Sequence, residues 1–224
     1  RYMTLGVTTT HIGNPDGTGP NLFMHNNGAT AGTWNVWGSG RNPEGDVPCV
    51  LLLGSSASNV LNQMGGSVGI AFFGNETANF SGGLNVAGGS VVCGTGATLS
   101  GITQSGGDID TNSALGVVTQ HGGYHLHRAG NITTITLNGG TFELRENAPL
   151  TITNLTMNDG TVLDLSLCDA AITVTNTATL KGNWRIIDPQ NCLGRGGSFV
   201  YSEPDGLGSG TLERAQATAT VTVA

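Results

Sequence analysis

Ile132-Thr-Thr-Ile-Thr-Leu-Asn-Gly-Gly-Thr-Phe-Glu-Leu144 returns twenty residues later as Ile152-Thr-Asn-Leu-Thr-Met-Asn-Asp-Gly-Thr-Val-Leu-Asp164. Six of the thirteen positions are identical, the register being held by Ile132/Ile152, Thr133/Thr153, Thr136/Thr156, Asn138/Asn158, Gly140/Gly160 and Thr141/Thr161. A β-rich run, a glycine-containing corner and a second β-rich run therefore recur as one unit. A unit this short cannot bury its own apolar face and must stack on copies of itself, which predicts a solenoid.

The pattern extends with decay in both directions. Upstream, Gly-Gly pairs occur at 122–123, 106–107, 88–89 and 65–66, and with 139–140 their separations run from 16 to 23 residues. Each follows a short run with apolar alternation, such as Leu115-Gly-Val-Val118 or Leu84-Asn-Val86. Downstream, Ile172-Thr-Val-Thr-Asn176 keeps the twenty-residue phase, and Leu180-Lys-Gly-Asn-Trp184 resembles the corner displaced by about three residues, as an inserted bulge would do. Phe142 and Leu144 fall on even positions whereas Leu163, Leu165 and Leu167 fall on odd ones. That change of parity predicts a one-residue slip after the corner, because such a slip exchanges the two faces of a strand.

Composition agrees. Glycine takes 37 of 224 positions, more than twice its usual share, while aromatics make up only 5%. Glycine supplies positive φ at corners and Thr suits strands. Every stretch long enough for three helical turns is interrupted by Gly, Asn or β-branched residues, so almost no helix is expected. The chain is thus predicted to be all-β: a short single-domain β-solenoid (β-helix) of about seven coils over 48–190, with an irregular N-terminal arm or cap over 1–47 and a C-terminal linker and strand over 191–224. The arm is marked by the turn-rich Gly13-Asn-Pro-Asp-Gly-Thr-Gly-Pro20, Asn26-Asn-Gly28 and Trp34-Asn-Val-Trp-Gly38. The terminal strand is marked by the alternation Ala215-Gln-Ala-Thr-Ala-Thr-Val-Thr-Val-Ala224. An open solenoid end exposes backbone hydrogen-bonding groups, so both segments are candidates for capping or for pairing with another subunit.

Charge and cysteine limit the partners. Eight basic residues, seven Arg and Lys181, stand against fifteen acidic ones for a net charge of −7, and the basic residues do not cluster. Nucleic-acid binding is not expected on that balance. No run reaches the roughly 18 apolar residues that a membrane-spanning helix needs, and no signal peptide is read at the start of the chain. Cys49, Cys93, Cys168 and Cys192 lack zinc-site spacing and fall in different coils, so buried free thiols are expected, a single disulfide being the alternative. Four sequons, at Asn75, Asn79, Asn131 and Asn154, are what chance yields in a chain this rich in Asn and Thr.

Few residues suggest chemistry. In His121-Gly-Gly-Tyr-His125-Leu-His127, His125 and His127 lie two apart on an expected strand and share one face, which makes half of a metal site. The plainer reading is a pair of solvent-facing or corner-stacking rings, with Arg128 adjacent and unfavourable to a cation. Asp108 and Asp110 form an i, i+2 carboxylate pair beside a Gly-Gly corner, which a carbohydrate-cleaving β-helix would need, but a solvated pair is the simpler reading. The calcium-binding nonapeptide, nucleophile-elbow, phosphate-loop and zincin patterns do not occur, and no catalytic residue or resident cofactor is assigned. Trp34, Trp37, Tyr124 and Trp184 are expected in core or cap packing rather than on a carbohydrate-stacking surface.

The combination of Trp34-Asn-Val-Trp-Gly38 with degenerate strands ending in Ile132–Leu144 resembles small Gly/Thr-rich β-solenoid virion proteins of tailed bacteriophages, over roughly residues 34 to 190. Autotransporter passengers and other secreted β-helices use similar Thr-x-Asn-Gly-Gly-Thr coils, but the long array and membrane barrel of autotransporters have no counterpart here. The resemblance implies a non-enzymatic structural protein of the virion exterior, a capsid decoration or cement protein whose partners are the major capsid protein and other copies of itself in a homotrimer. The alternatives are a tail-fibre or spike segment that binds a host glycan and a secreted, surface-exposed adhesin. In a trimer, three copies of His125 and His127 could converge on iron or another transition metal, an arrangement similar to the His-x-His iron sites of some trimeric phage fibres and spikes.

Overall fold

The computed structural model describes residues 9–13, 23–26, 31–38, 50–53, 58–73, 76–195, 199–203, 210–213 and 222–223. Cys49, Asn75, the turn-rich stretch 14–20 and residues 215–221 lie outside the described residues. The fold is an all-β solenoid of parallel strands, and among the described residues the one helical element is the short 3-10 turn Cys192–Gly194. No helix among them is long and apolar enough to cross a membrane. The chain divides into two compact units, Arg1–Ser113 and Ala114–Ala224, a division that falls inside the segment expected to be the solenoid.

In the first unit the strands are β1 (Thr9–Ile12), β2 (Phe23–Asn26), β3 (Thr33–Val36), β4 (Val50–Leu53), β5 (Val60–Gln63), β6 (Ser67–Ile70), β7 (Ala78–Asn79), β8 (Gly83–Val86), β9 (Ser90–Cys93), β10 (Ala97–Gln104) and β11 (Asp108–Thr111). One parallel sheet runs β1-β3-β5-β8-β10 and a second runs β2-β4-β6-β9-β11, while β7 pairs with β10. Each coil thus places one strand in each sheet and then steps up to the next coil. Inward positions stack into columns, as with Trp34, Leu61 and Leu84, all 3% exposed or less. Outward positions stack as well: the Asn62 amide donates to Asn35 Oδ1 at 2.8 Å, and the Asn85 amide donates to Asn62 Oδ1 at 2.8 Å. Amide donors set above amide acceptors tie these three coils by side chains as well as by backbone.

The arm expected over 1–47 is not wholly irregular. It supplies β1, β2 and β3, which pair in register with the sheets. Thr33-Trp-Asn-Val36 has the strand alternation, but its coil spans 27 residues, Thr33 pairing with Val60, so no near-twenty repeat betrays it.

In the second unit the strands are β12 (Leu115–Gln120), β13 (Tyr124–His127), β14 (Ile132–Leu137), β15 (Gly140–Leu144), β16 (Leu150–Met157), β17 (Thr161–Asp164), β18 (Ile172–Leu180), β19 (Arg185–Ile187), β20 (Val200–Tyr201), β21 (Thr211–Glu213) and β22 (Thr222–Val223). One sheet runs β12-β14-β16-β18 and the other β13-β15-β17-β19-β21. Between residues 48 and 190 the described strands make three two-strand coils in the first unit and four in the second, the seven expected. The terminal alternation finds a partner in part, because β22 pairs with β20 in a separate two-stranded sheet.

The founding repeat behaves as its residues predict. Ile132 pairs with Ile152 and Leu137 with Met157, a step of twenty residues. After the corner Phe142 pairs with Leu163 and Glu143 with Asp164, a step of twenty-one, which is the expected slip. Phe142, Leu144, Leu163 and Leu165 are buried, whereas Leu167 is 55% exposed because β17 has ended and the chain is turning. The next coil departs from the expected twenty-residue phase: Ile172 pairs with Leu150, not Ile152. A one-residue bulge opposite Ile152/Asn154 then brings Leu180 against Met157, which accounts for the displaced corner.

The Gly-Gly corners are set by two different constraints. At 106–107, Gly107 has φ +70°, which disfavours any L side chain, whereas a Cβ on Gly106 would lie 2.7 Å from the Ala87 carbonyl oxygen of the coil below. The second glycine bends the chain and the first lets coils stack. Gly106→Ala is expected to cost about 1–3 kcal/mol, the usual range for overpacking. A Cβ added at Gly101, inside β10, would meet nothing within 4 Å, and the φ there is ordinary. Gly101→Ala should therefore be neutral or stabilising by up to about 1 kcal/mol. Urea midpoints of the two variants check this, and equal effects would refute it.

A further corner device is hidden from the repeat. Gln63-Met-Gly-Gly66, Gln104-Ser-Gly-Gly107 and Gln120-His-Gly-Gly123 share the pattern Gln-x-Gly-Gly. All three glutamines are fully buried, and their amides donate to corner carbonyls: Gln63 to Gly65 O at 2.7 Å, Gln104 to Gly107 O at 2.8 Å and Gln120 to Gly123 O at 3.0 Å. A Gln at an inward position carries a large desolvation cost, and these bonds offset the part that falls on the amide N–H groups.

Candidate functional site

Alternation along the strands of the second unit sends Phe142, Leu163 and Ile186 into the core and turns Glu143, Asp164 and Arg185 outward. Parallel register then gathers residues that are far apart in sequence. Glu143 pairs with Asp164, Asp164 with Ile187 and Ile187 with Glu213, so three carboxylates share one column. Tyr124, two residues back along β13, donates its hydroxyl to Glu143 Oε2. Arg145 donates from Nε at 2.9 Å and from Nη2 at 2.6 Å to Glu143 Oε1. Two strands further on, Arg185 and Glu213 form a fork, Nε to Oε1 at 2.6 Å and Nη2 to Oε2 at 2.9 Å. Asp164 accepts the Ser166 backbone N–H at 2.8 Å.

The electrostatics follow from these contacts. Burial, the bond to Glu143 and the Glu143 charge push the Tyr124 phenol up to about 12, so it remains a hydrogen-bond donor at neutral pH. The hydrogen bond and charge of Arg185 hold the Glu213 carboxyl below its ordinary value. Glu143 is 7% exposed and accepts three hydrogen bonds from two side chains, Tyr124 and Arg145. Arg185 and Glu213 stand well out in solvent, their side chains 51% and 41% exposed. The arrangement presents alternating acceptors and donors along a strip, suited to polar recognition.

The other outward face of this unit differs in kind. On β14, β16 and β18 it carries Thr134, Thr136, Asn154, Thr156, Asn176 and Thr177. The Asn176 amide donates to Asn154 Oδ1 at 2.7 Å, and at the corner the Asn158 amide donates to Asn138 Oδ1 at 2.6 Å. That face is neutral and laddered.

His125 and His127 do share one face, as their spacing requires, and it is the inner one. Both are fully buried. His125 packs on Phe142 with ring centroids 4.5 Å apart, His127 lies 6.5 Å from the same ring, and His127 Nε2 donates to the Gly130 carbonyl at 2.7 Å. Burial first, and the neighbouring His127 second, push the His125 pKa well below its ordinary value. The rings are therefore neither the solvent-facing nor the corner-stacking pair read from sequence. To meet other copies on a three-fold axis they would have to leave the core. Among the described residues no group of three or more His, Cys, Asp or Glu side chains is placed to hold a metal.

The remaining candidates stay apart. Asp108 is exposed and Asp110 half-buried on the outward face of β11, flanking buried Ile109. Trp34 and Trp184 are buried, Trp184 in edge contact with Tyr201 at 5.6 Å, as core or cap packing requires. Cys93, Cys168 and Cys192 are buried free thiols. Asp188, fully buried, accepts the Cys192 N–H at 2.6 Å and the Leu193 N–H at 3.1 Å and so fixes the 3-10 turn.

Fold and site together define a parallel β-solenoid with one neutral and one charged outward face in its second unit. No protein-family model, curated protein sequence or solved structure matches the chain.

Proposed function

We propose that this chain is a structural virion protein, a capsid decoration or cement protein that binds the major capsid protein on the outside of a phage shell as a homotrimer and does mechanical rather than catalytic work. The observation that carries the reading is the neutral Thr/Asn face of β14, β16 and β18. Burying a neutral, already laddered face against another protein avoids the desolvation cost that charges would bring. Cement action then follows from mass action: surface buried across shell joints must be re-exposed before the shell expands.

Light scattering behind size exclusion tests the assembly. A mass near three times 22.8 kDa is expected, unchanged by a strong chelator because His125 and His127 face the core. A monomer would overturn the trimer, and a mass that falls on chelation would restore the histidines as metal ligands. The charged strip favours a second reading, a fibre segment binding a host glycan. Glycan binding lost in Arg185→Ala would favour it over the cement role.

A further inference from the structure

Cys168 and Cys192 are 24 residues apart in sequence, one following β17 and its turn, the other opening the 3-10 turn after β19. The stacking of coils brings them together. Cys192 Sγ donates to the Cys168 carbonyl oxygen at 3.1 Å, which sets the Cys192 sulfur directly against the Cys168 backbone. Cys168 Sγ lies 3.5 Å from the Glu146 and Ala170 carbonyl oxygens. Both residues are fixed in place: they are 1% and 0% exposed, and the Asp188 carboxylate holds the backbone at Cys192. Two buried cysteines on successive levels of a stack, the sulfur of one lying against the backbone of the other, form an arrangement that a disulfide can close.

We propose that Cys168 and Cys192 are a disulfide-forming pair that staples the β18–β19 coil to the β16–β17 coil before it whenever the chain folds in the presence of a small-molecule disulfide. With glutathione disulfide the step balances. One protein thiolate attacks a glutathione sulfur, forming a mixed disulfide and releasing one glutathione thiolate. The second protein thiolate then displaces the other glutathione. The two protein thiols lose two electrons and two protons, and one glutathione disulfide becomes two glutathione thiols. Burial holds the Cys192 thiol up at about 12, so the native thiol is a poor nucleophile at neutral pH. Exchange therefore belongs to folding, or to opening of the 3-10 turn, and the closed bond is shielded afterwards.

The test is to refold the whole chain in a glutathione redox buffer and, separately, with excess reductant, then alkylate it under denaturing conditions and map the peptides. The expected result is a product lighter by two hydrogens, a peptide linking Cys168 to Cys192, and free, alkylated Cys49 and Cys93. Closing a loop of this length should raise the melting midpoint by about 5–10 °C over the reduced chain. Unlinked Cys168 and Cys192 after oxidative refolding, or linkage of either to Cys49 or Cys93, would overturn the proposal. Cys168→Ser should abolish the oxidant-dependent rise in midpoint. Should that variant fail to fold, the peptide map of the unaltered chain still decides.

Discussion

Leu163→Ala and Phe142→Ala are each expected to lower stability by about 2–5 kcal/mol, and Val162→Ala by less than about 1 kcal/mol. The contrast matters because the sequence repeat aligns Phe142 with Val162, whereas the pairing of β15 with β17 sets Phe142 opposite Leu163. Phe142 and Leu163 are fully buried, and Val162 is half-buried on the outward side. Phe142 stands at the larger end of the range, since it is among the largest fully buried side chains and supports the His125 ring. Truncation there leaves a cavity that backbone already tied into two ladders cannot collapse to fill. Urea midpoints of the three variants, read with the slope of each transition, make the comparison. If Val162→Ala were as costly as Leu163→Ala, the one-residue slip would be wrong and the inward set of this coil would have to be reassigned.

That slip was legible because apolar parity changes across the corner, from Phe142 and Leu144 to Leu163 and Leu165. Side-chain parity is a local property of a strand, and local properties survive in a single sequence. The Gly-Gly corners were legible for the same reason. The early coils were not, since Thr33 must reach Val60 before its strand repeats and no twin glycine marks the way. The charged strip was invisible too. Tyr124, Glu143, Asp164, Arg185 and Glu213 sit 19 to 28 residues apart, and only the accumulated register, including a slip and a bulge, brings them into one strip. Cys168 and Cys192 became neighbours by the same accumulation. The histidines show the complementary gap: spacing determines that two residues share a face, but which face needs the neighbouring coils.

The position of His125 has a consequence that pH should expose. In the unfolded chain its ring titrates near 6.5, and in the folded chain burial and the adjacent His127 keep it neutral to well below that value. Above the unfolded value neither state carries the proton, so the ring contributes its full packing with Phe142. As pH falls below about 6.5 the unfolded state takes up a proton that the folded state refuses, and stability declines by about 1.4 kcal/mol per pH unit. The decline ends only when pH reaches the depressed folded value. His125→Leu, similar in volume and without a proton to bind, should lose stability less steeply over that window. Carboxylates that titrate in both proteins cancel in the difference. Urea midpoints at half-unit steps from pH 7 to 4.5 measure it, and parallel profiles for the two proteins would mean that the folded ring accepts its proton as readily as the unfolded one, which a ring packed on Phe142 with no exposed surface should not do.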